Sequence, residues 1–181
     1  MQAIRQAISD VVLIEPKVFG DSRGFFYESF NEKAFREATG VQAAFVQDNH
    51  SRSTQGVLRG LHYQLPPRAQ GKLVRVVRGA VFDVAVDIRK DSPTFGQWVG
   101  ILLTEDNHRQ LWVPPGLAHG FLVLSESADF LYKTTDYYSP EYERCIRWDD
   151  PQLAIAWPSL DVAIQLSAKD QAGRWLAEAD L

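Results

Sequence analysis

Short runs of apolar or alternating residues recur along the whole chain, separated by turn-forming residues. They include VVLIE at 11–15, KLVRVV at 72–77, AVFDVAVDI at 80–88 and HGFLVLS at 119–125. Runs of this length, rich in β-branched and aromatic side chains and bounded by Gly, Pro, Asn or Asp, are typical of β-strands. Ten such runs with little helix between them predict an all-β sandwich or barrel, and we expect a jelly roll.

Helical patterns occur in only two places. The segment NEKAFREATG has Asn31 as an N-cap and Gly40 as a stop signal, and the tail SAKDQAGRWLAEADL opens with Ser167, another N-cap residue. No repeat of fixed period, low-complexity tract or Pro-rich or Gly/Ser-rich linker divides the chain. We therefore expect residues 1–181 to form one all-β domain with short peripheral helices.

Composition and charge exclude several classes of protein. The chain has 19 Lys and Arg against 23 Asp and Glu, a formal charge of −4, so no basic balance indicates nucleic acid or an anionic membrane as partner. Cys145 is the single cysteine, which excludes an internal disulfide. The start of the chain lacks the apolar core of a signal peptide, and no run is long enough to span a bilayer. We expect a cytoplasmic protein.

Several kinds of catalytic site lack the sequence they need. The segment GDSRG at 20–24 has only two glycines and lies between apolar strands, unlike a dinucleotide or phosphate loop. There is no G-x-S-x-G elbow, and Cys145 has no histidine near it in sequence. Covalent catalysis by serine or cysteine therefore has little support, and we expect Cys145 to be a buried structural residue.

A metal site has partial support in the sequence. The segment PPGLAHGF matches the Pro-x-Gly-x-x-His turn of the second metal motif in the cupin superfamily and places His119 at the ligand position. Cupin enzymes add a His-x-His pair, because three or four converging ligands are needed to hold a transition metal. The corresponding residues here are His62, Tyr63 and Gln64. We expect the fold of a cupin without its metal.

Polar residues interrupt the predicted strands where a purely structural sandwich would have apolar ones. In VLRGLHYQLPP, strict alternation places Arg59 and His62 on opposite faces of the strand. A bulge at Gly60 would direct both side chains into one cavity. The other polar candidates are Lys72, Asp83, Asp87, His119, Tyr132, Lys169 and Asp170.

Seven motifs follow one another along nearly the whole chain: EPKVFGDSRGFFYESF, FVQDNHSRS, VLRGLHYQ, GKLVRVVRGAVFDVAVDIRKDSPTFGQW, LWVPPGLAHGF, LYKTTDYYSPEYE and LSAKD. In this order they resemble the dTDP-4-dehydrorhamnose 3,5-epimerase family. The resemblance implies a cupin-type jelly roll, a homodimer, and catalysis without a metal or other cofactor. It also implies a substrate, dTDP-4-dehydro-6-deoxy-D-glucose, whose C3 and C5 are inverted to give dTDP-4-dehydro-L-rhamnose.

The resemblance assigns the catalytic steps to four residues. His62 matches the base that removes an α-proton, and Asp170 matches the carboxylate that fixes the imidazole tautomer. Lys72 matches the cation that stabilises the enolate, and Tyr132 matches the acid that protonates the opposite face.

Substrate binding is assigned, by the same resemblance, to charged and amide side chains suited to a diphosphate and a sugar. We expect Phe19, Phe26 and Tyr138 to enclose the thymine. The binding residues are Arg23, Glu28, Gln47, Asp48, Asn49, Arg59, Lys72, His119, Glu143 and Lys169.

Each assignment has a structural alternative. Asp170 lies three residues after Ser167, the spacing of a capping box. Taken alone, His62 is a core histidine, Tyr132 a barrel aromatic and Lys72 a strand-end lysine. Three other functions remain open: a sister enzyme that epimerises one carbon or isomerises the ketone, a non-catalytic sugar-nucleotide-binding module, and a metal-dependent cupin dioxygenase.

Overall fold

The computed structural model describes all residues from Met1 to Leu181. Its elements are mostly strands, as the recurrent short apolar runs predict. The strands are β1 (Gln2–Arg5), β2 (Val12–Glu15), β3 (Phe19–Asp21), β4 (Gly24–Phe26), β5 (Gln47–Thr54), β6 (Leu58–Gln64), β7 (Lys72–Arg78), β8 (Ala80–Asp87), β9 (Trp98–Thr104), β10 (Gln110–Val113), β11 (Leu117–Val123), β12 (Ser127–Thr134) and β13 (Glu143–Cys145). The helices are α1 (Glu32–Thr39), α2 (Ala168–Gln171) and a 3-10 turn (Leu176–Glu178).

Two antiparallel sheets form the body of the fold. Sheet I has the order β1-β2-β10-β7-β12-β5, sheet II has the order β13-β6-β11-β8-β9, and β3 and β4 form a separate hairpin. From β5 to β8, and again from β9 to β13, successive strands alternate between the two sheets, which is the connectivity of a jelly roll. The sheets share one core, in which Phe130 of sheet I stacks on Phe121 of sheet II. The predicted all-β jelly roll is confirmed.

The first predicted helix forms with the predicted ends. The side chain of Asn31 accepts a hydrogen bond from the Ala34 N–H, and Gly40 closes α1 with a left-handed φ of 76°. Phe35 of α1 is buried on the outer side of sheet I, where its ring contacts Trp112 edge-on. None of the helices has the length and apolar composition that a membrane crossing requires.

The second predicted helix is much shorter than the sequence pattern indicates. Only Ala168–Gln171 are α-helical and Leu176–Glu178 form a 3-10 turn, because between these segments the chain turns back and bonds to β13. The Arg174 N–H donates to the Cys145 carbonyl, and the Arg147 N–H donates to the Arg174 carbonyl. At Gly173, a Cβ would lie 3.1 Å from the Arg147 nitrogen, so this close approach requires a residue with little side chain. The prediction of a helical tail was wrong beyond its first turn.

The predicted bulge at Gly60 is confirmed. His62 lies opposite His119, while Arg59 lies opposite Phe121, so three positions on β6 span two on β11. Gly60 has a φ of 122°, and a Cβ there would lie 2.6 Å from the Cα of Gly120. Glycine therefore permits the local slip that turns Arg59 and His62 to the same inward face.

Candidate active site

A cavity of about 320 Å³ opens between the two sheets. Its volume is at the lower end of the range for small-molecule sites. Polar side chains from five strands point into it beside two stacked phenylalanines. The lining residues are Asn49, His50, Ser51, Arg59, His62, Lys72, His119, Phe121, Phe130 and Tyr132.

His62 and Asp170 form a close pair in the wall of this cavity. Nε2 of His62 is 2.7 Å from Oδ1 of Asp170, although the oxygen lies off the direction of an Nε2–H bond. In free enzymes catalytic hydrogen bonds are often misaligned in this way and tighten only with substrate. Because Asp170 approaches the buried Nε2, the other ring nitrogen, Nδ1, is left to act on a ligand.

Two further groups hold the Asp170 carboxylate. Oδ1 accepts the Gly60 N–H at 3.1 Å, and Oδ2 accepts the Ser167 hydroxyl at 2.6 Å. Burial raises the pKa of Asp170, but the contacts with His62, Ser167 and Gly60 outweigh it and lower that pKa from 3.8 to about 2. The carboxylate is therefore ionised at neutral pH and stabilises a protonated His62.

The capping interpretation of Asp170 is confirmed, while its catalytic role stays a prediction. Ser167 is the N-cap of α2, and its Oγ accepts the Asp170 N–H at 3.2 Å. One carboxylate thus completes the first helical turn through Oδ2 and faces His62 through Oδ1. The two interpretations are compatible, because the short helix positions the acid against the imidazole.

Lys72 at the start of β7 places a cation in the same cavity. Its Nζ donates to the His62 carbonyl oxygen at 3.3 Å. Burial lowers the pKa of Lys72 from 10.5 to about 8. The negative charges of Glu143 and Asp83 act to raise this pKa but do not outweigh burial. The ammonium therefore keeps most of its charge at neutral pH while it is poorly solvated, so it can stabilise a developing negative charge strongly.

Tyr132 enters the cavity from β12 in sheet I, whereas His62 enters from β6 in sheet II. Burial raises the pKa of Tyr132, and the negative charge of Glu143 raises it further, in opposition to Arg59 and Lys169. The phenol is therefore protonated at neutral pH and can serve as a proton donor. A ligand between the sheets would meet the imidazole on one face and the phenol on the other.

His119 is paired with an acid that the sequence analysis did not assign to a role. Its Nε2 lies 2.9 and 3.1 Å from the two carboxylate oxygens of Asp83, and both side chains are almost fully buried. Asp83 lies opposite Phe121 in the β8–β11 ladder. Sequence spacing alone does not reveal this pairing, because it depends on the register of two distant strands.

A second polar cluster lies on β13 and α2, beside the cavity. Glu143 makes an ion pair with Lys169, and its Oε2 accepts the Tyr138 hydroxyl at 2.6 Å. The Tyr138 N–H in turn donates to the Gln47 side chain at 3.1 Å. Gln47 also donates to the cavity residue Asn49 at 2.9 Å. Five of the predicted binding residues and aromatics thus form one connected surface.

Three predicted binding residues lie outside both the cavity and this connected surface. Arg23 is on the β3–β4 hairpin, where its side chain is 87% exposed and paired with Asp21. Glu28 accepts a hydrogen bond from the Asn31 amide at 3.2 Å. Asp48 is paired with Lys133 and is also largely exposed. Within one chain, the structure does not bring these residues to His62.

Comparisons with known proteins agree with this architecture. A family model described as dTDP-4-dehydrorhamnose 3,5-epimerase matches residues 5–178. A Pseudomonas aeruginosa protein named dTDP-4-dehydrorhamnose 3,5-epimerase is 63% identical over 180 residues, which are 99% of this chain and 98% of the relative.

Two solved structures are similar over nearly their whole length. The dTDP-6-deoxy-D-glucose-3,5-epimerase of Legionella pneumophila Philadelphia 1, in complex with dTDP-4-keto-L-rhamnose, has a TM-score of 0.95 and 58% identity, covering 99% of this chain and 94% of that chain. A 3'-monoepimerase of Streptomyces bikiniensis, in complex with dTDP-quinovose, has a TM-score of 0.90 and 36% identity, covering 98% of this chain and 88% of that chain.

Proposed function

The chain belongs to the dTDP-4-dehydrorhamnose 3,5-epimerase family, and from this premise we propose that it inverts C3 and C5 of dTDP-4-dehydro-6-deoxy-D-glucose to give dTDP-4-dehydro-L-rhamnose. Family membership confirms the resemblance drawn from the sequence motifs. One observation supports the chemistry above all: His62 and Tyr132 approach a single cavity from opposite sheets. Inversion requires proton removal from one face of a carbon and proton delivery to the other.

The proposed mechanism uses the ketone at C4 of the sugar. The carbonyl acidifies the protons at C3 and C5, and Nδ1 of His62 accepts one of them while Asp170 stabilises the imidazolium. Negative charge then develops on the C4 oxygen, where the Lys72 ammonium stabilises the enolate. Tyr132 donates its phenolic proton to the opposite face and takes a proton back from solvent, while His62 releases the abstracted proton to solvent. Repetition at the second carbon completes the reaction.

We propose that the nucleotide binds across the connected polar surface. Arg59 in the cavity wall and Lys169 beside it are the cations suited to the diphosphate, and Tyr138 is the aromatic suited to the thymine.

A homodimer accounts for the binding residues that lie outside the cavity. The hairpin that carries Arg23 exposes Phe25 and Phe26 at 64% and 67%. Exposed aromatics of this kind indicate an interaction surface. We propose that a second copy of the chain covers this hairpin and brings Arg23 and Glu28 to the nucleotide site of its partner.

Isotope exchange in D2O tests the proposed function. Incubation with dTDP-4-dehydro-6-deoxy-D-glucose should place deuterium at both C3 and C5 of the L-configured product, as followed by proton NMR. Deuterium at one carbon only would instead support epimerisation of a single carbon, the activity for which the similar Streptomyces bikiniensis structure is named. Deuterium at neither carbon would leave only a binding function and would overturn the proposal.

The fall of kcat/KM on the alkaline side of its pH profile should follow deprotonation of Lys72. Because its pKa in the folded protein is about 8, the ammonium is present below that pH and is lost as pH rises through it. We expect kcat/KM, which reports groups of the free enzyme, to fall above a pH of about 8. Lys72→Met lacks the charge at every pH, so it should be slow and should not show this fall. The same fall in Lys72→Met would contradict the assignment.

Asp170→Asn should lower kcat by at least about a hundredfold, because the amide favours the wrong tautomer of His62. Ser167→Ala is the matched control, since it removes the cap but keeps the carboxylate. It should cost about 1 kcal/mol of unfolding free energy and reduce kcat much less than Asp170→Asn. Turnover and denaturant unfolding of both variants check this. Equal turnover in Asp170→Asn and the wild type would leave Asp170 with the capping role alone.

A further inference from the structure

Cys145 lies directly behind the proposed catalytic base. It is opposite His62 in the β13–β6 ladder, so the two side chains project from the same face of sheet II. Asp170 reaches the same point from α2. The ligand-type atoms of these three residues, one nitrogen, one sulfur and one oxygen, all lie within 4.8 Å of one another. None of them belongs to the cupin-type turn that carries His119.

We propose that His62 Nε2, Cys145 Sγ and Asp170 Oδ1 form a binding site for Zn²⁺, and that its occupation inhibits the enzyme. The inhibitory effect rests on the proposed epimerase function, whereas the binding site itself does not. The catalytic steps need no metal, so this is a site at which an ion blocks the base and supplies no chemistry.

The donor set selects the class of ion. Mg²⁺ and Ca²⁺ take oxygen ligands, whereas Zn²⁺ is bound by the mixture of imidazole, thiolate and carboxylate found here. Nε2 of His62 is also a buried nitrogen with no aligned hydrogen-bond partner, so a metal would supply the partner that the protein does not. The fourth tetrahedral position would be taken by water.

Small movements suffice to make the geometry tetrahedral. Zn–N and Zn–O bonds of about 2.0–2.2 Å at a tetrahedral angle separate the two ligand atoms by roughly 3.4 Å. Nε2 of His62 and Oδ1 of Asp170 are 2.7 Å apart, so they must open by roughly 0.7 Å. A rotation of the His62 ring or the Asp170 carboxylate provides this. Zn–S bonds of about 2.3 Å place Sγ roughly 3.5 Å from the other two ligand atoms, and since Sγ lies within 4.8 Å of both, it must approach by at most roughly 1.3 Å.

Binding displaces the thiol proton. Burial, assisted by the charge of Asp170, raises the pKa of Cys145 to about 12, so the free protein carries a thiol. Zn²⁺ bonds to sulfur as that proton leaves to solvent, which gives a zinc thiolate and one released proton. No oxidant or reductant takes part.

Zinc on Nε2 removes the base by fixing its tautomer. A neutral imidazole has one lone pair and one N–H. When Nε2 bonds to the metal, the proton must reside on Nδ1, the nitrogen that faces the cavity and is proposed to accept the α-proton. Asp170 is engaged by the same ion. The enzyme then lacks a proton acceptor although its substrate cavity is unchanged.

Co²⁺ titration of the full-length protein tests the site without any assay of turnover. The wild type should develop a near-ultraviolet thiolate-to-cobalt charge-transfer band and the intense visible bands of a tetrahedral ion, and Zn²⁺ should abolish both. Cys145→Ser keeps the size of the side chain and removes the soft ligand, so it should lose the charge-transfer band. His108→Asn removes a histidine that is not one of the three proposed ligands, tolerates the local φ of 52°, and should retain the band.

Inhibition by Zn²⁺ gives the second measurement. With inhibition expressed relative to each protein's own uninhibited rate, the Zn²⁺ concentration for half-inhibition should be at least about tenfold higher in Cys145→Ser than in the wild type. EDTA should leave wild-type turnover intact. If the serine variant does not fold, judged by circular dichroism, Cys145→Ala replaces it in both measurements. A wild type without a charge-transfer band, or a Cys145 variant that keeps it, would overturn the proposal. Cobalt bound through Cys145 in a protein that does not epimerise would support the site and refute the function.

Discussion

His62→Ala should abolish turnover and α-proton exchange together. Both rates should fall by about 10²–10⁴-fold, the usual contribution of a positioned base. No other group is placed to replace it. Lys72 is a cation below a pH of about 8, and the His119 ring is held against Asp83. Proton NMR in D2O should therefore show neither deuterium incorporation nor inverted product.

Measuring dTDP binding distinguishes loss of the catalytic base from loss of the substrate site. The proposed contacts of dTDP are on Arg59, Lys169 and Tyr138, so titration calorimetry should give the His62→Ala variant a dTDP affinity close to that of the wild type. Glu126→Gln is the control, because Glu126 is exposed and lies outside both the cavity and the connected polar surface. Wild-type exchange in His62→Ala would assign the base to another residue.

Tyr132→Phe should separate exchange from inversion. The substitution keeps the ring that packs beside Phe130 and removes only a hydroxyl that makes no hydrogen bond within the chain. His62 can still remove the α-proton and return a solvent-derived one to the same face. Deuterium should therefore enter the sugar with its original configuration, while the inverted product falls by roughly a hundredfold or more.

The measurement follows both isotopic content and configuration in a single NMR time course. Tyr137→Phe is the matched control, since that phenol is 57% exposed and lies outside the cavity, and it should invert the sugar at the wild-type rate. Formation of the L-configured product by Tyr132→Phe at the wild-type rate would make the phenol a packing residue. Another donor on that face would then be required, and Lys72, which enters the cavity from β7 of the same sheet, is the first candidate.

The sequence by itself determined the elements and several of their ends. Alternation and turn residues predict the strands because the side-chain period of a strand is a local property. Asn31 and Gly40 predict the ends of α1 because capping involves only residues within one turn. Gly60 predicts the bulge because the required φ excludes most side chains. The ordered motifs likewise suffice to identify the family, since they need no knowledge of contacts.

The tertiary structure alone decided which residues meet. His62, Lys72 and Tyr132 come from strands of two sheets, and Asp170 comes from a helical turn about a hundred residues after His62. Their convergence depends on sheet order and strand register, which no local pattern encodes. The same holds for Asp83 against His119 and for Cys145 behind His62. The tail departs from its helical pattern for the same reason. Arg174 donates a hydrogen bond to Cys145 in β13 and accepts one from Arg147 just after that strand, and these bonds outweigh the local helix propensity of 172–181.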